Sequence, residues 1–374
     1  MTTAQTHDLV LEEDPEQACK AIGHFLASLT GNTESIAAVR ILLLRDLCFR
    51  LGRIGAERRS LIQLETWFDM LPLSLRGEFD IKLLKSDSVE GAKRLLRRQA
   101  DVGIITVKKC ELEAVLRVLD ESPRRAPDRT EGKLNFWEST LKRRQSSALR
   151  LVTTLIADPG NVSCAVATQG LISSFDVKLL LLVGIAAGPP EKVKLGDVVC
   201  PDKVYDYEHV RQEIAEFYGL KLFIPRLRPR PRHEKTELKL RALIENLDFK
   251  LIRADIANFV SRLDSENKPH ELDDSFSPSL HRGTVAAGEK LLADGHLSRM
   301  YKRVDQQIRA GAQEDYGFAS VGEFWEIPWC IFRGISDFGT KKKNDNWQAV
   351  AAVSAAATAR AFLLSNFDQI PTRM

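Results

Sequence analysis

Pro328–Asp337, Pro-Trp-Cys-Ile-Phe-Arg-Gly-Ile-Ser-Asp, is the stretch that decides how this chain is read. Trp329, Cys330, Ile331 and Phe332 form a short apolar run with strand character. Gly334 interrupts it, and Ile335, Ser336 and Asp337 follow. A carboxylate at the carboxyl end of a buried strand stands where open α/β sheets place ligand chemistry. An aspartate after a strand more often closes a turn or caps a helix, so the company this stretch keeps has to decide.

The chain has 374 residues, enough for a large domain and a smaller one. Hydrophobic residues make up 44% and charged residues 28%, the balance of a soluble globular protein with a sizeable core. A net charge of +3 gives no global drive toward nucleic acid. The longest apolar run, around 179–183, is too short to cross a membrane, and the polar N-terminus has no signal-peptide core. Six cysteines lie scattered without metal-ligand spacing, so no metal and no cofactor is expected. Cys110, Cys164, Cys200 and Cys330 read as small core residues in a reducing cytoplasm.

Outward from the anchor strand, residues 101–374 alternate strands and helices. DVGIITV (101–107) is a β-branched strand, followed by an amphipathic helix. Residues 149–157 read as a strand, and DPGNV (158–162) turns into a helix over 163–175. LLLVGIAAG (180–188) is an apolar strand ending in a small-residue turn, and GDVVCPDKVYDYE (196–208) is a strand and turn. A strand at 284–287, a helix through 299–309 and an alanine-rich helix at 347–364 complete the set. This order predicts a three-layer α/β/α domain with a mixed sheet covered on both faces. Residues 209–280 read as a variable insert with one helix near 237–247. The run at 225–235 reads there as a solvated, extended loop. Residues 1–100 read as a smaller, mainly α-helical regulatory or interaction domain. The stretch 39–46, VRILLLRD, leaves open a truncated receiver-like strand.

Five stretches in order resemble the nucleoside phosphorylase superfamily, and among its branches the methylthioadenosine/S-adenosylhomocysteine nucleosidases. They are residues 101–115, 158–172, 180–208, 283–292 and 312–339, and the resemblance spans roughly 101–366. The strongest element is Arg333-Gly-Ile-Ser-Asp337 with a glutamate upstream at the family's spacing.

The resemblance assigns roles residue by residue. Asp337 takes the place of the general acid that protonates the leaving purine. That fits the chemistry, because breaking an N-ribosidic bond leaves negative charge on the base. Glu111 takes the place of the glutamate that activates water, with Glu113 as the rival two residues on. One carboxyl as acid and one as base parallels inverting glycosidases. Glu314 falls where a glutamate holds the ribose hydroxyls, preceded here by Gln313 instead of methionine. Asp315 is expected to point elsewhere on the helix. Gly184, Ala186, Ala187 and Gly188 stand for the small-residue turn near the substrate, where Ile185 and Ala187 depart from the family's pattern. Gly184, Ile185 and Ala186 are expected at the substrate, with Ser336 beside the acid and Leu291, with Tyr205 and Tyr207, at the pocket wall.

Phosphorylases of this superfamily hold phosphate with arginines and hydroxyls. Here only Thr106 and Lys108 follow the first strand, no GxxxR pattern appears, and Pro159–Gly160 stand in the arginine segment. Hydrolysis of a purine nucleoside or nucleotide, adenine foremost, is therefore expected. A phosphate-dependent phosphorylase and a non-catalytic nucleotide-sensing module are the alternatives. The N-terminal addition suits a conditional nucleotide-depleting effector in signalling or antiphage defence. The expected partners are the small-molecule substrate, a homo-oligomer and a protein docking on the N-terminal domain, with no membrane and no nucleic acid.

Overall fold

The computed structural model describes residues 98–119, 126–143, 146–156, 158–217, 220–229, 232–273, 275–290, 295–340 and 345–370. The expected helical module at 1–100, apart from its last three positions, lies outside these residues, as do the receiver-like stretch and Leu291.

Strand β1 (Val102–Thr106) is buried throughout, and α1 (Lys109–Leu119) follows. A hairpin of β2 (Arg129–Glu131) and β3 (Leu134–Leu141) leads to β4 (Leu149–Leu155), α2 (Asn161–Ser174) and β5 (Leu179–Ala187). Then come β6 (Val198–Asp206), β7 (Val210–Phe217), β8 (Leu220–Pro229), β9 (Arg232–Lys235), α3 (Leu238–Glu245) and α4 (Phe249–Ser261). The last part holds β10 (Leu280–Ala287), α5 (His296–Arg303), β11 (Ile308–Ala312), α6 (Asp315–Phe324), β12 (Trp329–Asp337) and α7 (Gln348–Asn366).

The main sheet runs β9-β6-β10-β11-β5-β1-β4-β3-β2, and β12 pairs with both β5 and β6. Strands β6, β10, β11, β5 and β12 therefore close on themselves, while the β1 side stays open. Pairing is mixed: β12 is parallel to β5 and antiparallel to β6. The two faces carry separate apolar clusters. One holds Val115, Leu181, Ile256, Phe332 and Phe362, from α1, α4 and α7; the other holds Ile105, Cys164, Leu171, Phe318 and Trp329, from α2 and α6. This is the expected α/β/α sandwich, with β1 and β5 buried on both sides as parallel strands require.

Helix α7 is apolar and long enough to pass a test for a membrane span, but it packs inside the domain. Its alanines let it approach β12 closely. A Cβ on Gly334 would lie 1.9 Å from the Ala351 carbonyl oxygen, so this position admits only glycine.

Three sequence expectations change. The small-residue segment Gly184–Ala187 is the end of β5 itself, and the turn begins at Gly188. The run expected as a loop enters two strands, β8, paired antiparallel with β7, and β9, paired with β6. The helix expected through 299–309 stops at Arg303. The Gln307 amide donates to the Asp305 carboxylate at 2.9 Å in a turn, and β11 starts at Ile308.

Candidate active site

The carboxyl ends of β5 and β12 lie side by side, with Arg333 opposite Gly184, Gly334 opposite Ile185 and Asp337 opposite Ala187. The register slips between Ile335 and Asp337, so Ser336 sits at an irregularity in the ladder. Such bulges re-aim side chains at strand ends. Asp337 is fixed there by its neighbours: the Gly339 amide donates to Oδ1 at 2.8 Å and the Ser336 hydroxyl to Oδ2 at 3.1 Å.

These strand ends floor a cavity of about 340 Å³. Glu111, Ile185, Ala186, Gln313, Glu314, Ser336 and Asp337 all line it, with Lys108 and Lys290 as its cations. These seven residues expected at the site from sequence are thus brought together. Gly184 is not on the wall, and Leu291 is outside the described residues. Tyr205 and Tyr207 are absent from the described lining; Tyr207 instead donates its hydroxyl to the Lys290 carbonyl at 2.6 Å.

Glu111 is 2% exposed and sits in the first turn of α1. Its Oε2 accepts from the Val107 and Lys108 amides at 2.7 and 2.9 Å, reaching back as the glutamate of a capping box does. Its Oε1 accepts from the Ile185 amide at 2.8 Å, tying α1 to β5. Glu113, the rival, is half-buried on the same helix and does not line the cavity.

Gly184 acts beneath the cavity. A Cβ there would lie 2.5 Å from Arg333 Nη1 and 2.6 Å from Glu111 Oε1. The bare backbone lets a buried guanidinium and a buried carboxylate share one strand position.

Glu314 is not inside a helix. It occupies the position before α6, at φ −114° and ψ −21°, and lines the cavity at 5% exposure. Helical spacing therefore does not separate it from its neighbour. Asp315 stays off the cavity wall, as expected, but it turns to the same guanidinium. Arg333 Nη2 donates to Glu314 Oε2 at 3.0 Å and to Asp315 Oδ2 at 2.5 Å. Burial pushes the Glu314 carboxyl up, and Asp315 and Glu111 add to this against the opposing pull of Arg333. For Arg333, burial works against the charge, but Asp315 and Glu314 outweigh it and hold the guanidinium protonated.

Sequence reasoning left Arg333 without a role. A lone arginine inside an apolar strand was the available signal, since a fully buried charge requires partners.

Opposite the strand ends, Glu289 reaches the N-terminus of α2. The Val162 amide donates to its Oε1 at 3.2 Å, and Gly160, at φ 122°, leaves room for Oε2. No His/Cys/Asp/Glu group suited to a metal occurs among the described residues.

Against known proteins, the model of the phosphorylase superfamily matches residues 101–366. An ATP nucleosidase, Cap17, of Escherichia coli is 29% identical over 280 residues, covering 75% of this chain and 54% of its own length. The chain thus spans about half of that relative. A 5′-methylthioadenosine/S-adenosylhomocysteine nucleosidase of Mycobacterium bovis is 24% identical over 57% of this chain and 79% of its own. The crystal structure of a nucleosidase of that type from Colwellia psychrerythraea, in complex with adenine, has a TM-score of 0.52. It is 17% identical, covers 73% of this chain and 97% of its own, and shows the shared fold.

Proposed function

The chain belongs to the phosphorylase superfamily, and on that premise we propose that it hydrolyses the N-glycosidic bond of a purine nucleoside or nucleotide. The observation that carries this reading is the convergence of Glu111, Glu314 and Asp337 on one cavity. Asp337, steadied by Ser336 and Gly339, delivers a proton to the departing base. Glu314 accepts hydrogen bonds from the ribose hydroxyls, and its charge steadies the oxocarbenium-like sugar. Glu111, anchored by three amides, orients and deprotonates the attacking water. Gln313, Ile185, Ala186 and Ser336 shape the wall around the sugar and base. Gly184 serves indirectly, by the close approach it permits.

Water rather than phosphate as the acceptor is supported by the composition of the cavity. No arginine is among its described lining residues. The N-terminus of α2, a natural place for an anion, already holds the Glu289 carboxylate. The likeness to a relative named an ATP nucleosidase supports adenine as the base and phosphates on the sugar. The segment ahead of residue 101 supports a conditional role, depleting a nucleotide in signalling or antiphage defence.

The test is turnover in ¹⁸O-labelled water, with and without inorganic phosphate. Hydrolysis predicts base release at equal rates in both and ¹⁸O at the sugar's anomeric hydroxyl. Release that requires phosphate and yields a sugar 1-phosphate overturns the hydrolytic reading. For the conditional role, the adenine nucleotide pool of cells carrying the protein is followed after phage infection. A pool that falls no further than in an Asp337→Asn strain contradicts it.

A further inference from the structure

Resting on the reading just given, we propose that Asp315 is a positioning residue. It never touches the substrate, but it fixes the Arg333 guanidinium and offsets its charge, so that Glu314 and Glu111 remain available to the sugar and the water.

The argument follows the five N–H donors of one arginine. Arg333 is 1% exposed. Its Nε donates to Asp315 Oδ1 at 3.2 Å and its Nη2 to Asp315 Oδ2 at 2.5 Å, a two-pronged pairing. The second hydrogen of Nη2 goes to Glu314 Oε2 at 3.0 Å, and Nη1 donates to the Ile185 carbonyl at 3.1 Å. Nη1 lies 4.0 Å from Glu111 Oε1, too far for a hydrogen bond. Asp315 therefore takes the fork-shaped edge of the cation. Glu314 receives a single N–H, and Glu111 receives none directly.

Without Asp315, that edge would find its next anions in Glu314 and Glu111. Bidentate pairing with either would occupy both oxygens of a carboxylate that the reaction needs. Asp315 itself is 0% exposed and absent from the cavity wall, so it acts only through Arg333 and through its charge. Three carboxylates around one guanidinium leave the cluster net negative. That field favours a sugar gaining positive charge, and it does so without reorganisation.

Titration of Glu314 is the readout. The groups around it are Arg333 and Asp337 on β12, Glu111 on α1, Cys164 on α2, Asp315 on α6, and Lys108 and Lys290 on the cavity wall. Of these, Arg333 and Asp315 are the pair whose balance the substitutions change.

The experiment measures kcat and KM for base release against pH in wild type, Asp315→Asn and the double variant Asp315→Asn/Arg333→Gln. The double variant is included because the single change leaves a buried guanidinium short of a counter-charge, which works against folding. The pH dependence of nucleoside binding, read by calorimetry, gives the same acid limb for a variant too slow to assay. In Asp315→Asn, kcat is expected to fall at least ~10-fold with a smaller change in KM. The acid limb is expected to move down by about one pH unit, because an unbalanced cation favours ionised Glu314. In the double variant Glu314 loses the cation 3.0 Å away, and the limb moves above that of wild type. A limb that stays at the wild-type position in either folded variant overturns the proposal. A merely structural Asp315 would lower Tm and the active fraction and leave the Asp315→Asn limb in place. If wild type releases no base at all, it is the underlying hydrolytic reading that fails.

Discussion

Replacing Gly184 with alanine tests the centre of the site with a single methyl group. The new Cβ would lie 2.5 Å from Arg333 Nη1 and 2.6 Å from Glu111 Oε1. Comfortable contact needs about 3.5 Å, so something must retreat by about 1 Å. Neither neighbour is free to do so. Arg333 Nη1 is bonded to the Ile185 carbonyl at 3.1 Å and Glu111 Oε1 to the Ile185 amide at 2.8 Å. Both side chains are at most 2% exposed to solvent. Overpacking of this kind costs about 1–3 kcal/mol. For a domain of this size that lowers Tm by about 2–4 °C per kcal/mol. The larger effect is on rate, since a shift of about 1 Å in a group that positions reactants costs about 10²-fold. Chromatographic assay of free base gives kcat, and thermal melting followed by circular dichroism gives Tm. A Gly184→Ala protein with kcat within threefold of wild type and an unchanged Tm would refute the idea that this bare backbone cradles Arg333 and Glu111.

Further substitutions probe separate parts of the account. Glu314→Gln removes the charge facing the ribose. With charged hydrogen bonds contributing about 1.5–3 kcal/mol, wild type should favour ribosides over 2′-deoxyribosides in kcat/KM, and the variant should lose most of that preference. Equal losses on both substrates would contradict a role at the hydroxyls. Gly334→Ala forces a Cβ to 1.9 Å from the Ala351 carbonyl oxygen, so α7 must move off β12; a Tm equal to wild type would argue against that packing. Asp101 anchors the edge of β4. It accepts from the Arg150 amide at 2.9 Å and pairs with Lys178 Nζ at 2.9 Å. Burial pushes its carboxyl up, but the Arg150 amide and Lys178 outweigh it and hold the pKa below the usual value. A lowered folded pKa contributes stability above the unfolded value of about 4, lost as pH falls through the folded value. Wild type should therefore melt above Asp101→Asn at pH 7, with the gap closing toward pH 2; a gap that persists there would contradict the sign.

Much of the domain was legible because its signals are local. The β-branched run of β1, the apolar run of β5 and the Arg333–Asp337 motif each carry strand character and a defined end. Glu111 was legible from its place at the start of α1, although its hold on three amides was not. The misreadings share a cause, in that composition stood in for pairing. Prolines and arginines at 225–235 suggested a loop, but strand partners on β6 and β7 make strands of the run. Asp315 is off the cavity wall, as its spacing suggested, but its pairing with Arg333 was not visible in that spacing. Arg333 is the residue whose partners could not be read at all. They come from α6 and the position before it and from α1, the last far away in the chain.

The most direct measurement compares base release from purine nucleosides and nucleotides by wild type, Glu111→Gln, Asp337→Asn and Glu113→Gln. The account predicts that wild type and Glu113→Gln liberate base at similar rates. It predicts that Glu111→Gln and Asp337→Asn each fall by at least about 10²-fold, Asp337→Asn with a wild-type melting curve. Unimpaired release by either of those two, or a loss confined to Glu113→Gln, would contradict it.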